Sequence, residues 1–163
     1  MLILGIDPGT ALMGYGLIEK KGQVLSAVEY SCWRTSADLP MALRLKKLFD
    51  SLEELLLKYS PQAVAVEELF FNRNTTTAIA VGQARGIVLL AAARHSIEVY
   101  EYTPLQVKQA VVGYGKADKH QIQYMVRALL ALREMPKPDD TADALAIAIC
   151  HAHSVGPRFG GHC

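Results

Sequence analysis

The sequence predicts an α/β domain with a mixed five-stranded sheet flanked by helices, and three observations support this prediction. Two apolar runs, 2–6 and 63–66, have the length and continuity of strands that are covered on both faces. Two mixed runs, 13–18 and 23–33, lie on either side of Gly22, which is typical of a hairpin turn. From residue 41 onward helical and strand patterns alternate, which favours parallel pairing.

Helical periodicity predicts the layers that flank this sheet. Between residues 41 and 59 apolar side chains recur every three or four positions, and charged side chains fill the other face. Four more helices are predicted. The first is alanine-rich and covers 75–95, and the second is short, opens with Pro104 and covers 104–111. The third is capped by Asp118 and covers 118–132, and the last begins with aspartates and covers 139–153. A third buried strand is expected over 97–102.

Composition is that of one compact domain. The chain has 163 residues, of which 51% are hydrophobic and 20% charged, with a net charge of +1. We expect a single domain over 1–155 and a flexible, glycine-rich tail over 156–163. The three cysteines lack paired-ligand spacing, which argues against a disulfide framework or a zinc site.

The location of the protein is predicted from what precedes and interrupts the apolar runs. No basic segment precedes the first run, and we find no apolar stretch of the roughly 18 residues that a membrane span needs. We therefore expect a cytoplasmic protein with reduced thiols and no membrane partner.

Carboxylates follow both predicted buried strands. Asp7 ends the first strand, and Glu67 and Glu68 end the strand over 63–66. An ionised carboxylate beside a buried run must be solvated, hydrogen-bonded or bound to a cation. For Asp7 two interpretations stay open: a functional carboxylate at the mouth of a sheet, or a turn aspartate that accepts backbone N–H bonds.

The final helix begins with three more acids. Capping explains Asp139 well, because carboxylates favour the N-terminal end of a helix. Asp143 borders the apolar stripe and shares a helix face with either Asp140 or Asp139. If that face meets the two strand ends, the crowded carboxylates need divalent cations, and carboxylate-only ligation suits Mg²⁺ or Mn²⁺.

Basic residues cluster in the second half of the chain. Between residues 72 and 132 seven lysines and arginines outnumber three acids, a distribution that suits phosphate binding. Lys116 and Lys119 lie where a glycine-containing loop meets a helix, so they either contact phosphates or belong to a solvated turn. Phe70, before Asn-Arg-Asn, is either a core residue or an exposed ring that stacks on an unpaired base.

Two histidines and a glycine pair have no chemistry assigned to them by the sequence. His151 and His153 are expected at the surface or the helix end rather than as metal ligands. Gly82 and Gly86 lie four apart on the alanine-rich helix, where they let another helix approach closely. This face of the helix either meets a second copy of the chain or packs against the protomer's own sheet, and both alternatives stay open.

Five motifs together resemble RuvC-type Holliday junction resolvases, the crossover junction endodeoxyribonucleases. They occur in order over residues 1–153: Gly-Ile-Asp-Pro-Gly at 5–9, Val-Glu-Glu-Leu-Phe at 66–70, Gly-Gln-Ala-Arg-Gly at 82–86, Val-Lys-Gln-Ala-Val-Val-Gly-Tyr-Gly at 107–115 and Asp-Asp-Thr-Ala-Asp-Ala-Leu-Ala-Ile-Ala at 139–148. Each motif alone is weak, and jointly they are highly specific.

The resemblance implies a ribonuclease H-like fold and a homodimer that resolves four-way DNA junctions in recombination and repair. It implies paired strand cleavage with Mg²⁺, replaceable by Mn²⁺, at two ions per active site, and partners of the RuvA and RuvB branch-migration type. The metal-binding acids of the family fall on Asp7, Glu67, Asp140 and Asp143. Its DNA-contacting lysines fall on Lys108 and Lys119, and its junction-probing aromatic on Phe70.

Some features of the motifs leave alternatives. Glu68 and Asp139 stand directly beside assigned acids, so each is a second candidate for its neighbour's role. Asp7-Pro8-Gly9-Thr10 also fits the Asp-x-Gly-Thr turn of actin-like and sugar-kinase ATPases, although the chain is too short for the two domains that those proteins close around a nucleotide. A non-enzymatic DNA-junction binder is the third interpretation.

Overall fold

The computed structural model describes residues 1–68 and 75–155, which form three layers with one mixed sheet in the middle. The five strands are β1 (Leu2–Asp7), β2 (Leu12–Lys21), β3 (Val24–Arg34), β4 (Ala63–Glu67) and β5 (Glu98–Tyr102). The five described helices are α1 (Met41–Tyr59), α2 (Thr75–Arg94), α3 (Pro104–Val112), α4 (Lys119–Leu129) and α5 (Asp139–Ser154). The predicted five-stranded sheet flanked by helices is confirmed.

The strand order β3-β2-β1-β4-β5 combines an antiparallel half with a parallel half. β1, β2 and β3 form the predicted meander, with Gly22 at a φ of 62° in the β2–β3 turn, where glycine adopts the left-handed conformation without penalty. β4 pairs parallel to β1, and β5 pairs parallel to β4. Parallel pairing brings the carboxyl ends of β1 and β4 to the same edge of the sheet.

Side chains alternate between the two faces of the sheet, as they must in a strand. On one face Leu4 and Ile6 of β1 and Val64 and Val66 of β4 pack with α1 and α2. On the other face Ile3 of β1 and Ala65 of β4 belong to the core that contains α3, α4 and α5. The alternation therefore directs the next odd-numbered positions, Asp7 and Glu67, toward the α5 layer.

Glycines let α5 lie directly on the central strands. A Cβ atom at Gly5 would collide with the backbone oxygen of Ala144, and one at Gly16 would collide with the side chain of Leu145. These two glycines stand opposite each other in the β1–β2 ladder. The contact is close enough that even alanine does not fit without a shift of the helix.

The helix boundaries agree with the prediction except near α4. Asp118 caps α4 through a capping box with Gln121, as its position indicated, but the helix ends at Leu129 rather than 132. α3 begins with a capping box between Thr103 and Gln106 that the sequence analysis did not identify. Among the described residues, Cys32 and Cys150 are free thiols.

Two sequence predictions are wrong. The strand over 97–102 is not a buried one, because β5 lies at the edge of the sheet and only Tyr102 is buried. The statement that no apolar stretch is long enough for a membrane span also fails: Thr77–Arg94 of α2 passes that test by length and composition, although only 22% of it is buried. The predicted tail over 156–163, and with it the domain boundary at 155, lies outside the described residues.

Candidate active site

Three carboxylates meet in one hollow at the edge of the sheet. Asp7 ends β1, Glu67 ends β4 and Asp143 projects from the second turn of α5; all three line the hollow. The register that pairs Ile6 with Val66 sets Asp7 and Glu67 side by side. The remaining wall consists of Lys108, Lys119 and the apolar side chains of Pro104, Val107, Ile122, Ala146 and Ile147.

Gly14 brings the N-terminus of α5 to this edge. It stands opposite Asp7 in the β1–β2 ladder, and a Cβ atom there would collide with the backbone oxygen of Asp140. The first turn of α5 therefore rests on bare strand backbone next to Asp7. This close approach places Asp140 and Asp143, distant in sequence, within electrostatic range of Asp7.

The environment of Asp7 opposes its ionisation. Burial, followed by the charges of Asp143, Asp140 and Glu67, raises the pKa of Asp7 from 3.8 to about 7. Lys119 acts in the opposite direction but does not balance the three acids. A carboxyl with such a pKa lies where the local potential is strongly negative and little water is available to relieve it.

The pKa values of Glu67 and Asp143 are raised for the same main reason. Burial is the largest cause for both, and the charge of Asp143 adds to it at Glu67. Lys108 opposes the shift at Glu67, and Lys119 opposes it at Asp143. Each of these two acids therefore has one lysine that partly offsets its negative charge. The two lysines together do not neutralise all the carboxylates of the hollow.

Asp139 behaves differently from the other acids of α5. It lies in the first turn of α5, where the helix dipole favours a carboxylate, but it is not the N-cap residue: Pro138 occupies that position, without a side-chain hydrogen bond. Its Oδ2 lies 3.1 Å from Lys119 Nζ, and its Oδ1 accepts a hydrogen bond of 2.8 Å from Gln123. The hydrogen bond from Lys119 holds the pKa of Asp139 below its ordinary value.

Lys119 links the two ends of the acidic group. Its Nζ also lies 3.5 Å from Oδ2 of Asp143, so one ammonium group bridges Asp139 and Asp143. Hydrogen bonding to Asp139 raises the pKa of Lys119 further. The ammonium group thus supplies part of the positive charge that the carboxylates require.

The donor set fits a hard divalent cation. Carboxylate oxygens alone are the ligands that Mg²⁺ and Mn²⁺ prefer, and the pKa of Asp7 is raised by burial first and by the charges of three neighbouring acids second. Within residues 1–68 and 75–155 no three Asp, Glu, His or Cys side chains form a closed ligand group. The acids therefore share a hollow whose negative charge suits a cation, but their side chains do not form a complete coordination shell.

Comparison with known proteins identifies the family. The family model described as "Crossover junction endodeoxyribonuclease RuvC" matches residues 3–151. The chain belongs to the RuvC family. Among RuvC relatives, the protein of Desulfitobacterium hafniense is 72% identical over 99% of both chains. That of Heliobacterium modesticaldum is 64% identical over 95% of this chain and 96% of its own.

Solved RuvC structures have the same fold. The structure described as Thermus thermophilus RuvC in complex with Holliday junction substrate superposes with a TM-score of 0.90 at 41% identity, covering 94% of each chain. The yeast mitochondrial Holliday junction resolvase, at 16% identity and a TM-score of 0.64, covers 93% of this chain and 78% of its own, and it shares the fold. The predicted ribonuclease H-like fold is confirmed, and RuvC membership contradicts the ATPase interpretation.

The acids that the RuvC motifs select lie together, with one difference among them. Asp7, Glu67 and Asp143 line the hollow, whereas Asp140 lines a second one with Asp139. The charge of Asp140 nevertheless reaches Asp7 and raises its pKa. Both acids of the pair at 139 and 140 are thus near the centre, and only Asp140 acts on Asp7.

The choice between Glu67 and Glu68 has a structural basis. Glu67 is half-buried in the hollow, while the side chain of Glu68 is exposed. The backbone N–H of Glu68 donates to the carbonyl of Tyr102 at 2.8 Å, which continues the β4–β5 ladder. Because successive residues of a strand point to opposite faces, Glu68 is directed away from Asp7.

The predicted DNA-binding residues have three different placements. Lys108 and Lys119 line the hollow, whereas Lys116 is exposed in the loop before α4. Phe70 lies outside the described residues. The basic pair that the sequence analysis missed is Arg34 and Lys137, which line the adjoining hollow with Asp139 and Asp140.

The two histidines of α5 differ from each other. His153 is exposed, as predicted, with Nδ1 at 2.9 Å from the carbonyl of Ala110. His151 is only 2% exposed, and its Nδ1 lies 2.7 Å from the Tyr102 hydroxyl. Of the two placements expected, the surface or the helix end, His151 has the second: it lies in the last turn of α5, which packs against β5.

Proposed function

We propose that the protein is an endodeoxyribonuclease that resolves four-way DNA junctions by paired, metal-dependent cleavage during recombination and repair in the cytoplasm. The observation that carries the proposal is the hollow in which Asp7, Glu67 and Asp143 face Lys108 and Lys119 at one edge of the sheet. Membership of the RuvC family supports it, as does the Thermus thermophilus relative, which is described with a Holliday junction substrate.

The acids are proposed as metal ligands. Asp7, Glu67, Asp140 and Asp143 would hold Mg²⁺, or Mn²⁺ in its place, at two ions per active site. When bound, such ions activate a water molecule and stabilise the leaving oxygen at the scissile phosphate. Support comes from the pKa of Asp7, since about 7 is far above the value of a carboxyl in water.

The lysines act on the DNA rather than on the metal. Lys108 and Lys119 line the hollow and would hold the phosphates on either side of the scissile bond. Lys119 is bound to Asp139 and Asp143 in the free protein. If the acids hold a divalent cation, the ammonium group of Lys119 would be available to a phosphate.

The apolar side of the hollow strengthens these interactions. Val107, Ile122 and Ile147 reduce the water around the carboxylates, which is why burial is the main cause of their raised pKa values. Charges in such surroundings interact more strongly than in water. Lys116 and Phe70 are proposed as further DNA contacts, the second by stacking on an unpaired base.

Paired cleavage requires a second subunit, and α2 offers a surface for it. Cβ atoms at Gly82 and Gly86 would meet nothing within 4 Å, so these glycines do not serve close packing within the protomer. Ile79 and Leu90 of the same helix are 64% and 55% exposed. We propose that this helix face is the interface of a homodimer whose two-fold axis matches that of the junction.

The protein is further proposed to act with branch-migration partners of the RuvA and RuvB type. This proposal depends on RuvC family membership. Association of the three proteins on one junction, measured by co-sedimentation, is the corresponding test.

The central experiment uses labelled DNA of three kinds. A four-way junction, a duplex and a single strand are each incubated with the protein in Mg²⁺ and in a chelator. We expect symmetric cuts in the junction alone, and only with Mg²⁺. Binding to the junction without cleavage under any metal would instead make the protein a non-enzymatic junction binder, which is the second candidate function.

A further inference from the structure

A second hollow adjoins the acidic one on the β3 side of α5. It is lined by Arg34, Lys137, Pro138, Asp139 and Asp140. The acidic hollow lies on the other side and is lined by Lys108 and Lys119. The first turns of α5 contribute acids to both, so basic residues flank the acidic centre on two sides.

The strand register explains how Arg34 reaches this place. Asp7 pairs with Gly14, and Gly14 pairs with Cys32, so these three positions share one face of the sheet. Arg34 lies two residues after Cys32 and therefore faces the same way. That face is the one on which the backbone of Asp140 rests at Gly14. Arg34 thus extends beyond the end of β1, next to the start of α5.

The side chains of Arg34 and Lys137 in this second hollow do not contribute interactions to the fold. Both are exposed, and within the described parts of the chain neither has a hydrogen-bond or ion-pair partner, although Asp139 and Asp140 line the same hollow. Lys119, in contrast, is bound to Asp139 and Asp143. Arg34 and Lys137 can therefore bind an external anion, because no acidic side chain of the described protein pairs with them.

We infer that Arg34 and Lys137 bind a DNA backbone phosphate on the β3 side of the active site, opposite the phosphates held by Lys108 and Lys119. This inference rests on the proposed function. A strand that crosses the acidic centre presents phosphates on both sides of the scissile bond, and the known hollow supplies cations on one side only. Arg34 has the planar fork that suits phosphate oxygens, and Lys137 adds a second charge.

The test is the salt dependence of junction binding in a chelator, where no cleavage occurs. Each phosphate contact contributes about 0.9 to the slope of log affinity against log salt. We expect the double variant with Arg34→Ala and Lys137→Ala to make the slope shallower by up to about one unit, and each single variant to make a smaller change in the same direction. Arg34→Lys should recover most of the slope, since it keeps the charge.

The matched control is Lys47→Ala, which removes an exposed charge from α1, a helix on the opposite side of the sheet. Its slope should equal that of the wild type. Thermal unfolding of all variants shows whether the fold is intact. Unchanged slopes for both Arg34→Ala and Lys137→Ala would overturn the inference.

Two further outcomes are informative. If Arg34→Ala changes only the Mg²⁺ concentration needed for half-maximal cleavage and leaves the slope unchanged, the arginine acts on the acids and the inference is wrong. If the wild-type protein itself does not bind junctions, the proposed function fails first. Binding by the wild type with altered slopes in the variants supports both.

Discussion

Asp7 and Asp139 show how position decides the behaviour of a carboxyl group. Asp7 lies in the hollow, where burial and three neighbouring acids raise its pKa to about 7. Asp139 is exposed, and its hydrogen bond with Lys119 holds its pKa below the ordinary value. The first group needs a cation, whereas the second already has one. This difference supports Asp7 rather than Asp139 as a proposed metal ligand.

We therefore predict unequal effects within each pair of adjacent acids. Asp7→Asn, Glu67→Gln and Asp140→Asn should slow junction cleavage by about 100-fold or more. Even substitution of a residue that only orients a metal ligand typically lowers metal affinity or activity by about 10- to 100-fold. Glu68→Gln and Asp139→Asn serve as the matched controls and should lose much less. Junction binding in a chelator should persist in all five variants. Equal losses within a pair would contradict the assignment of the ligands.

His151 supplies a prediction on stability. Burial is the main cause that lowers its pKa below 6.5, with a contribution from the charge of Lys20, while Glu98 opposes the shift. The folded protein therefore keeps the ring neutral, with Nδ1 next to the Tyr102 hydroxyl. The unfolded chain takes up a proton as the pH falls below 6.5, so this residue destabilises the fold at low pH and has no such effect above that value.

The measurement compares the free energy of unfolding of wild type and His151→Gln between about pH 5 and pH 7.5. The wild type should lose more stability at the acidic end, by about 1.4 kcal/mol for each unit of pKa difference. The result is the difference between the two proteins at each pH, because the raised pKa of Asp7 changes the free energy of unfolding with pH in the opposite direction in both. Parallel curves for the two proteins would rule out His151 as the source.

At the scale of the elements, the contact between α5 and the central strands determines where the acids stand. Gly5, Gly14 and Gly16 leave no room for a side chain beneath the helix. The last turn of α5 is held by Lys20, whose ammonium group donates to the carbonyls of Ala152 and Val155. The helix is thus fixed at both ends, and its first turn cannot retreat from Asp7 without losing contacts along its length.

Gly14→Ala is expected to disturb the site through this contact. The added methyl group collides with the backbone of Asp140, which should cost about 1 to 3 kcal/mol of stability and shift the start of α5. Cleavage should fall more than junction binding does. Lys47→Ala, at an exposed position of α1 on the other side of the sheet, is the control and should change stability by less than about 0.5 kcal/mol. Equal stability of the two variants would be inconsistent with the tight contact.

The sequence was sufficient for the elements whose patterns are local. The ends of β1 and β4 were predictable because apolar runs stop at Asp7 and Glu67, and α1 was predictable from its periodicity. The collision at Gly14 was not, because it depends on a helix more than a hundred residues away. Arg34 was missed for the same reason: only the register of β2 and β3 places it beside α5.

At the scale of the whole molecule, the exposed face of α2 predicts the assembly. Gly82→Leu should fill the open space at that position and separate the subunits while each remains folded. Sedimentation should give a monomer, and junction cleavage should lose its paired cuts. A dimer that persists in Gly82→Leu would place the interface elsewhere, and a wild-type monomer that makes paired cuts would contradict the dimer mechanism.

The charge distribution around the hollow predicts how the whole protein holds DNA. Lys108→Ala should make the slope of log affinity against log salt shallower by up to about one unit. Lys119→Ala should have a smaller effect in a chelator, because Asp139 and Asp143 hold its ammonium group when no cation is present. The readout is a salt series with and without a divalent cation. A slope unaffected by Lys108→Ala would place that lysine away from the DNA.

The position of Asp143 on α5 has a consequence for fragments of the chain. Asp7 and Glu67 come from β1 and β4, whereas Asp143 comes from α5, the last element of the described chain. A nascent or truncated chain that lacks α5 carries two of the three acids of the hollow and none of the lysine bridge to Asp143. Under the proposed assignment such a fragment has an incomplete metal site, and we expect it to leave four-way junctions uncut.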